Sequence, residues 1–276
     1  MLPTKLYSVS ALSLAVVLAL SACHREVKPA PEFKRSEYNK IVISNAVEPS
    51  TLDPQKSSDM AAGAIIRQMM DGLVSTDAEG KTIPALALKW EPSDKGRVWT
   101  FHLRDAKWSN GDPITAEDFV YSFRRLADPE VAAPSSSYLE DAKIQGAAEI
   151  LQGKAKPDTL GVKALDEKTL QFTLTAPVPY FPDMLIQQFT YPVHRATVEK
   201  FGEKWTQPGN YVSSGAYILK EWHVNSHITM DKNPAYYDSK KVSIPQAVFL
   251  AIGKEYDRYR ADEVDVTYGI PSDQIK

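Results

Sequence analysis

One cysteine, Cys23, stands in 276 residues, so no internal disulfide can form. The sequence has no P-loop, GxGxxG, GxSxG or S-x-x-K, which removes the usual nucleotide and serine-nucleophile signatures. It has no excess of one charge either. Lys and Arg total 32 against 35 Asp and Glu, for a net charge of -3, and the two signs are interspersed. There is thus no basic stripe for nucleic acid and no polybasic membrane patch. Beyond the N-terminus no apolar run is long enough to span a bilayer, and there is no internal repeat or low-complexity segment.

Histidine is scarce: His24, His102, His194, His223 and His227. The pair four apart, His223 and His227, would have metal-ligand spacing on a helix, but Val224 to Ser226 reads as a turn and Ile228 onward as a strand. Positions four apart along a strand stand about 13 Å from each other, so no metal site is expected. Glu117 with Asp118 reads as a helix N-terminus, and Asp262, Glu263 and Asp265 as a solvated turn entering a strand. Adjacent acids do not set the separation across a substrate that carboxylate-pair catalysis needs. No catalytic residue, cofactor or metal is expected, and the chain reads as a binding protein rather than an enzyme.

What is present starts at the N-terminus. Lys5, the apolar stretch Leu12 to Leu20 and Ser21-Ala22-Cys23 follow the order of a secretory signal. The stretch is shorter than the roughly 20 residues a spanning helix needs. Small residues directly before a cysteine match the bacterial lipobox, with acylation of Cys23; an ordinary signal peptide with an incidental cysteine is the alternative. Residues 1–23 then form the signal and 24–38, with Pro29 and Pro31, a flexible tether. His24 in place of an aspartate favours outer-membrane sorting in a Gram-negative envelope.

The whole sequence, with 43% apolar and 24% charged residues, has the composition of a globular protein, and the remaining chain is long enough for a real core. Strands are predicted at Lys40–Val47, Val98–Arg104, Leu170–Leu174, Gly215–Lys220, His227–Asp231, Gln246–Ile252 and Val264–Tyr268. A helix capped by Ser58 or Asp59 should bury Ile65, Ile66, Met69, Met70 and Leu73, and one capped by Thr115 should bury Phe119, Val120, Phe123 and Leu126. Arg195–Phe201 and Tyr256–Ala261 read as shorter helices, and the prolines of Ala176 to Pro182 should bar regular structure. Strands and helices mix without strict alternation, which implies an α/β or α+β fold with a mixed sheet.

Two stretches resemble the solute-binding proteins of ABC importers, in the class that binds peptides and nickel. The first runs from Pro84-Ala-Leu-Ala-Leu-Lys-Trp90 through Trp99 to Arg104 and Ala106 to Gly111 to Ile114-Thr-Ala-Glu-Asp-Phe-Val-Tyr-Ser122. The second comprises Val178-Pro-Tyr-Phe181, Val198 to Asn210 and Gly215-Ala-Tyr217, and is most similar to the family's oligopeptide-binding members. The resemblance implies a type II periplasmic-binding-protein fold. Residues 39–70 and 194–276 would form a discontinuous, incomplete domain I, residues 71–193 an inserted small domain II, and domain III would be absent from a truncated N-terminal half.

The same resemblance implies a monomer on the periplasmic side of the envelope, touching membrane only through its lipid anchor. It would capture oligopeptides for a permease in the inner membrane, the backbone of an extended peptide being paired as in strand addition. A non-transporting remnant lipoprotein is the alternative. Positions matching ligand-facing loops are Ser58, Asp59 and Met60, the loop Ser135, Ser136 and Ser137, and Gln187. Oligopeptide-binding members carry glutamate, tyrosine and histidine near Ser58, Ser135 and Gln187, which implies a different peptide preference. With domain III absent, peptide binding by this chain alone should be weak.

Overall fold

The computed structural model describes residues 39–251 and 253–275; the expected signal, Cys23 and the tether lie outside them. The β-branched run forms β1 (Lys40–Ser44), shorter than expected, with its last three residues buried. Asp59 caps α1 (Met60–Met69), its Oδ1 accepting from the Ala62 N–H at 2.7 Å, while Ile65, Ile66 and Met69 bury one face. Leu73 does not continue that face. Met70 takes extended dihedrals, and the Met69 carbonyl accepts instead from the N–H of Gly215, so the helix stops. Gly215 is needed there, because a Cβ would meet the Met69 carbonyl carbon at 2.7 Å. Leu73 is buried all the same, just before β2 (Val74–Thr76), which pairs with β3 (Thr82–Pro84) across the expected Asp77–Gly80 turn.

A second sheet follows. It contains β4 (Ala87–Ser93), β5 (Val98–Leu103), β6 (Val162–Asp166) and β7 (Thr169–Thr173) in the antiparallel order β4-β5-β7-β6. Trp99, Phe101, Leu170 and Phe172 are all buried, as the alternation predicts. Against them packs α2 (Ala116–Ala127). Its start is a reciprocal cap in which the Asp118 carboxylate accepts from the Thr115 N–H at 2.8 Å and hydroxyl at 3.2 Å. Phe172 is the hub: its ring meets Phe123 at 4.9 Å, Phe181 at 5.1 Å and Phe101 at 5.7 Å, all edge-on.

Two short helices, α3 (Tyr138–Asp141) and α4 (Ala147–Leu151), lie between α2 and β6. The proline stretch behaves differently from expectation at its end, where α5 (Phe181–Met184) makes one turn. Pro182 sits in the first turn, where its missing N–H has no intrahelical partner to lose. The helix predicted at Arg195–Phe201 is present with those bounds as α6.

The remaining strands, β8 (Tyr217–His223), β9 (His227–Lys232) and β10 (Gln246–Leu250), join β1 in a mixed sheet of order β1-β10-β9-β8, with β1 parallel to β10. After α7 (Glu255–Arg260) the predicted strand Val264–Tyr268 does not form. Its contact with β1 is a single parallel bridge between Ile43 and Val266, because the Asp265 carboxylate takes the Val42 N–H at 2.9 Å where a strand would offer a carbonyl. Among the described residues no helix is long and apolar enough to cross a membrane.

Candidate functional site

The turn before α1 is held from below by a buried charge pair. Arg125, on α2, reaches Asp53 with Nη2 2.6 Å from Oδ2 and Nη1 3.2 Å from Oδ1. Trp205 donates from Nε1 to the same Oδ2 at 3.3 Å, Arg125 also donates to Gln55 Oε1, and Tyr211 donates its hydroxyl to the Leu52 carbonyl at 3.1 Å. Every polar atom of the Asp53 carboxylate thus has a partner, as a buried carboxylate requires. The consequence is positional: Ser57 N–H closes on the Asp53 carbonyl at 2.9 Å, and the chain leaves that turn directly into Ser58, Asp59 and Met60.

Those three residues line an open groove of about 650 Å³ beside α1. Met60 is 92% exposed, an apolar side chain offered to whatever enters. Packing pushes the Asp59 carboxyl up, but hydrogen bonds from the Ser50 hydroxyl and from the Ala62 and Ser50 N–H groups outweigh it and hold the carboxyl below its usual range. Asp59 is therefore a fixed anion whose oxygens already serve the helix cap. Across from it Arg67 donates to Gln188 Oε1 at 3.0 Å, and Tyr268 and Glu255 complete the wall. Glu255 accepts from the Gly269 N–H at 3.0 Å, which fixes its carboxylate.

The other sequence-derived positions are distributed differently. Gln187 is exposed and does not line the groove, whereas its neighbour Gln188 does. Ser135, Ser136 and Ser137 form the turn that enters α3, outside the groove. They connect to it only indirectly: Tyr138 packs edge-on against Phe189 at 4.9 Å and donates to the Met184 carbonyl at 3.1 Å. Arg67, Gln188 and Tyr268 were missed by sequence reasoning. Arg67 had a signal, since it stands seven positions after Met60 on the face of α1 opposite the buried Ile65 and Ile66. Groove residues of both charges, an exposed thioether and the amides of Asn45, Gln68 and Gln188 offer hydrogen bonds, ion pairing and apolar contact.

A sequence model of the bacterial extracellular solute-binding proteins, family 5 (middle), matches residues 81–276. The chain belongs to that family. It is 47% identical to the periplasmic oligopeptide-binding protein OppA of Escherichia coli over 236 residues, covering 84% of this chain and 43% of that protein. A probable deoxycholate-binding periplasmic protein, YgiS of the same species, is 44% identical over 84% of this chain and 44% of that protein. Among solved structures, Haemophilus influenzae OppA in complex with the peptide RPPGFSPFR superposes with a TM-score of 0.84 at 43% identity, over 87% of this chain and 48% of that one. The unliganded open form of the murein tripeptide-binding protein MppA gives 0.83 at 38% identity, over 88% and 48%. The fold is therefore the type II solute-binding fold, and the chain spans about half the length of the family 5 relatives it matches.

Proposed function

We propose that this chain belongs to the substrate-binding component of an ABC peptide importer, capturing oligopeptides on the periplasmic side of the envelope for an inner-membrane permease. The similarity to OppA proteins, 42–47% identical in three species, carries the reading. In this reading an extended peptide lies along α1 in the groove at Ser58–Met60, its carboxylate or backbone toward Arg67 and an apolar side chain against Met60. A two-domain organisation, 39–70 with 194–276 around 71–193, is part of the proposal. Its support is that the β1-β10-β9-β8 sheet takes strands from both ends of the described chain while the β4-β5-β7-β6 sheet lies wholly within Ala87–Thr173.

The test is hydrogen exchange on the purified chain with short peptides, a murein tripeptide and deoxycholate as separate additions. Peptides should slow exchange at Ser58–Met60 and around Arg67, be recovered uncleaved, and lose that protection in Arg67→Ala. Protection by deoxycholate alone would replace the peptide reading with a bile-acid one. Attachment of the envelope protein through acylated Cys23, as a monomer, completes the proposal, supported by the Ser21-Ala22-Cys23 sequence. Cys23→Ser should move the protein from the membrane to the soluble fraction; retention of that variant in the membrane would sink the anchor.

A further inference from the structure

The expectation that His223 and His227 stand about 13 Å apart holds along a continuous strand. The structure overturns it. Val224, Asn225 and Ser226 reverse the chain, with Asn225 in the left-handed region at φ 58°, and β8 and β9 pair so that His223 lies directly opposite His227. Their rings stack with centroids 4.7 Å apart. Glu221, two residues before His223 on β8, projects from the same face, and one donor atom from each of the three side chains lies within 4.8 Å of the others.

We propose that Glu221, His223 and His227 form a binding site for a divalent first-row transition metal of the zinc, nickel and copper class at the tip of the β8–β9 hairpin. Distances argue for an ion in preference to direct contacts. Glu221 Oε2 is 3.7 Å from His223 Nε2 and 3.9 Å from His227 Nε2, both too long for hydrogen bonds. A tetrahedral ion with metal–nitrogen and metal–oxygen bonds of about 2.0–2.2 Å holds its ligands about 3.3–3.5 Å apart. The two Glu221–histidine pairs need to close by about half an ångström and the His223–His227 pair, within 4.8 Å, by up to about 1.5 Å, which rotation of the exposed Glu221 and His223 side chains supplies.

The surroundings resemble those of a metal site. Ser226 Oγ lies 2.9 Å from His227 Nδ1; with Nδ1–H donating to it, the ring takes the tautomer whose ligating nitrogen is Nε2, an outer-shell arrangement of the kind metal-bound histidines use. From the opposite face Glu48 accepts from Trp222 Nε1 at 2.6 Å and from the Asn225 N–H at 2.8 Å, and the Ser226 carbonyl accepts from the Ala251 N–H at 3.0 Å. The hairpin is thus fixed before any ion arrives. Glu221 is about half exposed and His223 more so, which leaves the fourth position open to water or an added ligand. Two imidazoles and one carboxylate select borderline transition metals over calcium and magnesium, which take oxygen ligands.

Calorimetric titration of the metal-free full chain with zinc, then nickel, tests the site. One ion should bind in the micromolar range, with no comparable heat from magnesium. The exposed substitution His223→Gln should weaken binding at least about tenfold, Glu221→Gln should weaken it as well, and His102→Gln should leave it unchanged. Cobalt(II) should show a tetrahedral d–d band that His223→Gln abolishes. Absence of zinc or nickel binding, or an isotherm that His223→Gln leaves unaltered, would overturn the proposal, the second outcome placing the ion elsewhere on the chain.

Discussion

Arg125→Met should destabilise the protein by about 3–5 kcal/mol in urea denaturation, with little change in the slope of the transition. The magnitude follows from burial: the side chains of Arg125 and Asp53 are only 9% and 4% exposed. Removing the guanidinium leaves Asp53 with the Trp205 indole and its own backbone turn as partners, and an uncompensated carboxylate in that position is far costlier than a lost surface ion pair, which is worth about 0–1 kcal/mol. Adding Asp53→Asn to Arg125→Met removes the stranded charge and should recover part of the loss, so the double-mutant cycle reads the coupling directly. A loss below about 1 kcal/mol for Arg125→Met would show that the pair is solvated and would undercut its role in fixing the turn before Ser58. The loss should extend to function, since that turn sets the start of α1 and the groove residues with it.

Much of this was legible in the sequence for local reasons. Thr115 with Asp118 announces a helix start because the cap is made within four residues, and Trp99, Phe101 and Leu103 announce a strand because one face of the sheet must be dry. What escaped depends on partners distant along the chain. β4 contains Pro92, which argues against a strand until the topology shows it at a sheet edge, where a missing donor is tolerated. Val264–Tyr268 has the alternation of a strand but lies beside β1 through a carboxylate, which no periodicity reveals. His223 and His227 depart from expectation for another reason: the turn between them is legible in Val224–Ser226, but their separation is set across the hairpin that the turn creates and not along the chain. At the groove, Ser58–Met60 are named by the resemblance to the family's ligand-facing loops, whereas Gln188 and Tyr268 enter from segments more than 100 residues away.

Phe172→Ala should cost about 3–5 kcal/mol, comparable to the loss of the buried ion pair but through a different mechanism. Phe172 is fully buried and its ring is the common neighbour of Phe101, Phe123 and Phe181, which come from β5, α2 and α5. Truncation removes the transfer free energy of the ring and opens a cavity between three elements that cannot all move inward, because β5 is held between β4 and β7 by ladder bonds. Phe172→Leu fills most of the volume and loses the edge-on contacts, so it should cost clearly less, with about 0.5–1.5 kcal/mol per aromatic pair as the scale of what it forfeits. The two variants separate stability from binding. Neither touches the groove at Ser58–Met60 or the Glu221–His227 cluster, so well below the melting temperature both should keep the peptide protection and the zinc isotherm of the parent. A Phe172→Ala variant that loses either while still folded would mean that the aromatic cluster transmits its packing to the sites, and their independence would have to be given up.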